Sequence, residues 1–301
     1  MLRSTRTCYG VAAQTDNLLG LDHEVPANSS LNTALTDPLI VPFQPVVVTQ
    51  GMETVDPYDA SIDTGSIRLK FLCIGNRGHR MIVGSGVPYA DEIPHKSTDS
   101  GAYGLIPFVV KPTSADLTQA ERARYRMRKT MLIAGTLYAA YYCRVLDLGS
   151  VNAETTLSQI VGNDTVTSVF NPTINNLRPP IPSIGAGNDG SYTNVSALTT
   201  VAFDATDIAL LEEACLRVFG DTNTAIISEI LLCTGVDKSV LSRYPDSGTQ
   251  TPLPTVLNAY KEVVGVQVSY FTTCFYPANQ FNQGLDITID LGTTEVLFGT
   301  N

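Results

Sequence analysis

The stretch Ser66-Ile67-Arg68-Leu69-Lys70-Phe71-Leu72-Cys73-Ile74 decides the reading of this chain. Ile67, Leu69, Phe71 and Cys73 fall on one side of an extended backbone and Arg68 and Lys70 on the other, the period-two pattern of a half-buried β-strand. Gly75-Asn76-Arg77-Gly78 then supplies a turn and His79–Val83 a second short strand, so the segment reads as a hairpin. Strand patterns outnumber helical ones in the rest of the chain. The fold class expected is α+β, predominantly antiparallel β-sheet with two short helices and an extended N-terminal arm.

Upstream, residues 1–65 are rich in Pro, Asn, Ser, Thr and Asp, and their apolar runs Leu39–Phe43 and Val46–Val48 are broken by Pro38, Pro42 and Pro45. Proline cannot donate to a central ladder, so this region reads as an extended arm with edge strands that packs on a neighbouring subunit, with disorder over residues 10–35 as the alternative. Downstream, Thr118-Gln119-Ala120-Glu121 is a capping box that starts a helix near 118–129. The alternating arginines that follow spread charge around every helical face, which marks a passage to strand near Tyr125. Thr130–Ile133 and Thr136–Leu148, joined by Ala134-Gly135, read as a hairpin.

Residues 171–194 hold four prolines and three glycines and break all periodicity, so they form a linker or long loop between a β-rich domain at 66–170 and an α+β part at 195–301. A helix over 205–219 is capped by Asp204 or Thr206, carries the stripe Ile208, Leu211, Cys215, Val218, and ends at Gly220. Strands are expected at Ala225–Thr234, Val263–Tyr276, Leu285–Leu291 and Thr294–Phe298.

Only 16% of the 301 residues are charged, below the roughly 25% of an average soluble domain. Ser, Thr, Asn and Gln, or partner subunits, must therefore cover the surface. Residues 1–150 carry 14 basic and 14 acidic side chains and residues 151–301 carry 5 and 15, so the net charge of −10 lies in the second half. An acidic half disfavours wrapping nucleic acid, although an acidic channel wall lets DNA slide past. No apolar stretch approaches the about 20 residues needed to cross a bilayer, and the N-terminus lacks an apolar leader core, so a cytosolic product is expected. Six cysteines spread singly read as buried free thiols.

Catalytic chemistry is thinly represented. The chain has three histidines, His23, His79 and His95, with no nucleophile elbow and no phosphate-binding lysine motif. Cys73, His79, His95 and Asp91 or Asp99 match no familiar metal spacing, and the two later histidines read as hydrogen-bonding loop backbone. The turn at Asn76-Arg77-Gly78 is a weak candidate for an anion nest. No enzyme, cofactor or metal is expected. The basic run Arg122, Arg124, Arg126, Arg128 and Lys129 is the candidate subunit contact, against the alternatives of a channel lining and a solvated face.

Five blocks carry a resemblance: IRLKFLCIGNRGHRMIVG (67–84), PHKSTDSGAYGLIPFVVKP (94–112), DLTQAERARYRMRK (116–129), YAAYYCRVLDL (138–148) and AIISEILLCTGVDKSV (225–240). In this order they resemble a family of tailed-bacteriophage virion structural proteins, over residues 66–298. The resemblance implies a ring-forming head–tail adaptor, connector or tail-tube component in the virion, made in the bacterial host cytoplasm. Its implied partners are further copies of the chain, about six or twelve in a ring, with neck, tail or capsid proteins as neighbours and non-specific contact with DNA passing a channel. No catalytic residues come with it. Interfaces are expected from the arm, the 86–105 loop and the 171–194 loop. The rivals are a capsid decoration protein and a receptor-binding virion protein, the latter using Tyr89, Tyr103 and Tyr192.

Overall fold

A computed structural model describes residues 2–25, 46–48, 68–84, 86–148, 151–161, 164–171, 191–242 and 258–296. In chain order the first strands are β1 (Leu2–Arg3), β2 (Thr5–Arg6), β3 (His23–Val25), β4 (Val46–Val48), β5 (Leu69–Gly75), β6 (His79–Gly84), β7 (Val87–Glu92), β8 (Leu105–Ile106) and β9 (Val109–Pro112). They continue as β10 (Tyr125–Ile133), β11 (Thr136–Val145), β12 (Ala153–Val161), β13 (Asp164–Val169), β14 (Tyr192–Asp204), β15 (Ile226–Ser242), β16 (Asn258–Pro277), β17 (Gly284–Asp290) and β18 (Thr293–Val296). The α-helices among the described residues are α1 (Cys8–Leu19), α2 (Gln119–Arg122) and α3 (Ala205–Phe219). The chain is predominantly antiparallel β-sheet with few short helices.

Contacts divide it into two units that do not follow chain order. The larger joins Ser4–Asp147 to Ala202–Asp286, and the smaller joins Met1–Arg3, Leu148–Val201 and Ile287–Asn301. The expected boundary at 171–194 is not where the division falls, and residues 172–190 of that linker lie outside the described residues.

In the larger unit an eight-stranded sheet runs β10-β11-β5-β15-β16-β2, with β8 on β5 and β9 on β11. Its buried centre includes Phe71, Leu231, Val266 and Phe271. The strand at Leu69–Gly75 forms as its alternation predicts, but the hairpin expected with His79–Val83 does not. β5 pairs with β15 and β11, while β6 pairs with β7 from His79↔Glu92 to Gly84↔Val87. Alternation fixes a strand and its buried face. It says nothing of which neighbour lies at either edge.

The helix near 118–129 is corrected to the single turn Gln119–Arg122, and the strand begins at Tyr125. The Thr118 capping box is present with Glu121, but alternating arginines cannot form an amphipathic helical stripe, so extended backbone takes over. The hairpin that follows turns at Ala134 and Gly135, both at positive φ (48° and 81°), as a tight two-residue turn requires.

Residues 2–25 are not an extended arm. Thr7 caps α1 by accepting from the Gly10 amide, while its hydroxyl donates to the Val268 carbonyl at 2.5 Å. Gly10 lies so close to the Ser269 carbonyl that any Cβ there would collide, and this is what lets α1 rest on β16. His23 completes the attachment, with Nδ1 at 2.7 Å from Asp16 and Nε2 at 2.6 Å from the Gln267 amide. The expected edge strand Val46–Val48 pairs with His23–Val25. Leu39–Phe43 lies outside the described residues.

The helix over 205–219 forms with the predicted ends. Asp204 accepts from the Asp207 amide at 2.8 Å, and Gly220 closes it at φ 77°. Ile208, Leu211 and Cys215 are buried as the stripe predicts. Asp204→Ala is expected to lower stability by about 1 kcal/mol, measured by urea titration of the full chain.

In the smaller unit the six-stranded sheet runs β1-β17-β14-β12-β13, with β18 on β14. β1 runs parallel to its neighbour β17, whereas β12 runs antiparallel to both β13 and β14, and β18 antiparallel to β14. The Asp290 carboxylate fastens one end, accepting from Ser196 Oγ and the amides of Ala197 and Gly292, each at 2.9 Å.

Candidate functional site

The largest concentration of chemistry in the larger unit surrounds Glu229, on β15. Its side chain is wholly buried. One oxygen accepts from the Tyr103 amide at 2.8 Å and faces His95 Nε2 at 2.9 Å, and the other accepts from the amides of Arg77 and Gly104 at 3.2 Å. His95 Nδ1 faces Asp99 at 3.0 Å, so the imidazole spans two carboxylates. The ring lies flat between Tyr103 and Phe271, at centroid distances of 4.2 and 3.9 Å and interplanar angles of 9°.

A buried carboxylate is stable only when its lone pairs are filled, and here loop amides fill them. Of the turn at Asn76-Arg77-Gly78, one amide meets an anion, that of Arg77 on Glu229 of the same chain, while Gly78 donates to Ser228 Oγ at 2.9 Å and Asn76 to the Gly104 carbonyl. His95 meets carboxylates and not the loop backbone expected of it. The cluster ties the segment 93–104 to β15. His79 lies apart from these carboxylate contacts, edge-on to Phe275 at 4.7 Å, and burial lowers its pKa.

The basic run is also largely turned inward. Arg128 is fully buried and donates to Asp116 through Nε at 2.9 Å, while Tyr141 donates to the same carboxylate at 2.7 Å. Arg126, also buried, donates through Nε to Asp237 at 3.0 Å, and Lys70 reaches the other Asp237 oxygen at 2.6 Å. Arg122 is buried against the Tyr141 ring, 5.8 Å from its centroid. The expectation that the run forms a subunit contact is therefore corrected for Arg122, Arg126 and Arg128, which the core of their own unit consumes. Arg124 keeps about half of its side chain exposed while it pairs with Asp207 at 3.2 Å, and Lys129 is half-buried opposite Ala140.

Met127 interrupts the regular extended backbone at this point. It sits at φ 55° between the pairs Arg126↔Cys143 and Arg128↔Tyr141, with the register unchanged on either side, and Tyr125, Arg126, Met127 and Arg128 are all buried. Glu262, buried on β16, accepts from the amides of Met127 at 2.5 Å and Arg128 at 3.2 Å. Burial pushes the Glu262 carboxyl above its ordinary range, although those amides favour its charged form. Asp207, at the start of α3, accepts from Arg144 at 2.8 Å, and the Arg144 guanidinium lies 4.7 Å from the Phe203 ring centre.

All six cysteines are free, and all but Cys8 are buried. Burial raises the Cys143 thiol well above its ordinary value and that of Cys215 to about 12, so both act as packing groups and not as nucleophiles. Among the described residues, no three His, Cys, Asp or Glu side chains are placed to hold a metal ion. No helix among them is long and apolar enough to cross a membrane.

Outward, the larger unit presents large apolar side chains on several elements. Leu18 and Leu19 of α1 are 84% and 63% exposed, Val83 of β6 73%, and Leu132 and Leu137 68% and 51%. The last two face each other across the β10–β11 turn, so their exposed surfaces adjoin. Of the three tyrosines proposed for receptor contact, Tyr89 on β7 and Tyr103 are both exposed, Tyr103 with its ring stacked on His95, and Tyr192 is half-buried on β14 in the smaller unit.

Comparison with curated proteins and with solved structures finds no match for this chain. Residues 57–301 match the sequence profile of a family of unknown function. That span takes in most of both units, including the Glu229, Asp237 and Glu262 clusters but not α1, and the chain belongs to this family, DUF7208.

Proposed function

We propose that the chain is a structural subunit of a tailed-phage virion, ring-forming around the phage axis as a head–tail adaptor, connector or tail-tube component. The observation that carries this reading is the exposed apolar surface of the larger unit, above all the adjoining Leu132 and Leu137 and the successive Leu18 and Leu19. Single exposed leucines are ordinary, but grouped ones mark surfaces that a partner covers. The buried ionic clusters fit the same role, because Glu229, Asp237 and Glu262 spend their chemistry holding strands and loops in place. The block-wise resemblance over residues 66–298 adds the virion. Different surfaces meeting head to tail close a ring of about six or twelve copies, and the acidic second half would let DNA pass without sticking.

The test is the protein content of purified virions of the phage that encodes the chain. Mass spectrometry should find peptides of the chain in several copies per particle, and antibody labelling should place them at the head–tail axis. Label over the capsid surface would favour decoration, label at the tail tip receptor binding, and absence from the virion would overturn the reading.

A further inference from the structure

We propose that β13 is a self-pairing edge, through which two copies of the chain join their six-stranded sheets antiparallel. Among the described residues, β13 is the last strand of the order β1-β17-β14-β12-β13, and it pairs with β12 from Thr156↔Val169 to Val161↔Asp164 without a break in register. All six of its residues are exposed, Val166 by 54% and Val169 by 57%. An edge strand carries a row of backbone donors and acceptors that another strand can take up, and proteins that stay apart blunt such edges with lysine, proline, bulges or shortness. Asp-Thr-Val-Thr-Ser-Val has none of these. It is of ordinary strand length, rich in β-branched residues, and its one charge stands at the end.

The sequence of the edge selects its occupant. In an antiparallel pairing the residues whose amides point outward must face their own kind, so a two-fold axis passes through a residue and not between two. Centred on Val166, the axis sets valine against valine, Thr165 against Thr167 and Asp164 against Ser168, whose hydroxyl can donate to the carboxylate. β-branched and hydroxyl pairs of this kind stabilise adjoining strands. The two Asp164 carboxylates then stand four residues apart along the strand, about 14 Å, beyond the screening length of about 8 Å at physiological salt. Parallel in-register pairing would put them side by side. The surface is self-complementary, as a two-fold contact between identical chains requires.

This contact stands apart from the virion reading, since a pair through β13 is compatible with any assembly the larger unit forms. Val166→Lys in the full chain places two ammonium groups at the axis on a site that is exposed in the single chain, so folding is spared. Sedimentation equilibrium should show the mass of the wild-type assembly halved, with the dissociation constant of the pair raised about tenfold or more. In a Cys8→Ser background, Val166→Cys treated with diamide should give a disulfide-linked dimer on a non-reducing gel, each thiol losing one hydrogen to the diazene. Thr200→Cys, exposed on β14 of the same sheet, should give none. An unchanged mass for Val166→Lys, or no faster cross-linking at 166 than at 200, would overturn the proposal. A virion lacking the chain would overturn only the reading before it.

Discussion

Glu229→Ala should be the most damaging single substitution in the larger unit. It strands the amides of Arg77, Tyr103 and Gly104 and the buried Nε2 side of His95, all of which converge on a carboxylate that is itself wholly buried. Each buried partner left unmet costs about 1–3 kcal/mol, and loss of one member of a buried charged cluster costs about 3–5 kcal/mol in all. In calorimetry the unit that contains Glu229 should melt about 10 °C lower than in the wild type. Hydrogen exchange should quicken in residues 93–104, because the carboxylate is what holds that segment to β15. Glu229→Gln retains one acceptor oxygen and should fall between the two. An alanine variant that melts with the wild type would show that the loops are held by other contacts.

Asp237 gives the second large effect, with a pH signature of its own. Burial alone would push its carboxyl up, but Lys70 and Arg126 outweigh that and hold it below the ordinary carboxylate value. A carboxyl with a depressed native pKa adds stability that is complete above its unfolded value of about 3.9 and is lost as pH falls through the native one. Asp237→Asn leaves the two cations partly unneutralised in a buried site and should cost about 3–5 kcal/mol near neutral pH. In urea titrations the gap between wild type and variant should stay constant down to about pH 4 and close below it. A gap independent of pH down to acid unfolding would mean that the amide replaces the carboxylate without loss.

Local patterns were legible in the sequence to the extent that their causes were local. Helix α3 was marked by Asp204, a stripe at three- and four-residue spacing, and Gly220, all within one segment. The β5 alternation gave a strand, but its partners Leu231 and Arg144 lie far away in the chain, and the adjacent turn pointed to the wrong neighbour. The arginines at 126 and 128 looked like surface charge because the acids that neutralise them are distant: Asp116 is 12 residues away from Arg128 and Asp237 is 111 from Arg126. Their period of two was itself the sign of a strand. Glu229 left a smaller sign, one carboxylate inside the apolar run Ile226–Cys233, which warns of a buried partner without naming it. Helix α1 went unseen, although Thr7 and Gly20 stand at its two ends, because the residues between them form no clear apolar stripe.

The central claim is that the chain is built to assemble, and its mass in solution tests that most directly. Light scattering behind a sizing column, on the full chain across a hundredfold range of concentration, is predicted to give a discrete closed oligomer of about six copies or more. A particle that stays at the 32.3 kDa of one chain throughout that range would contradict the account.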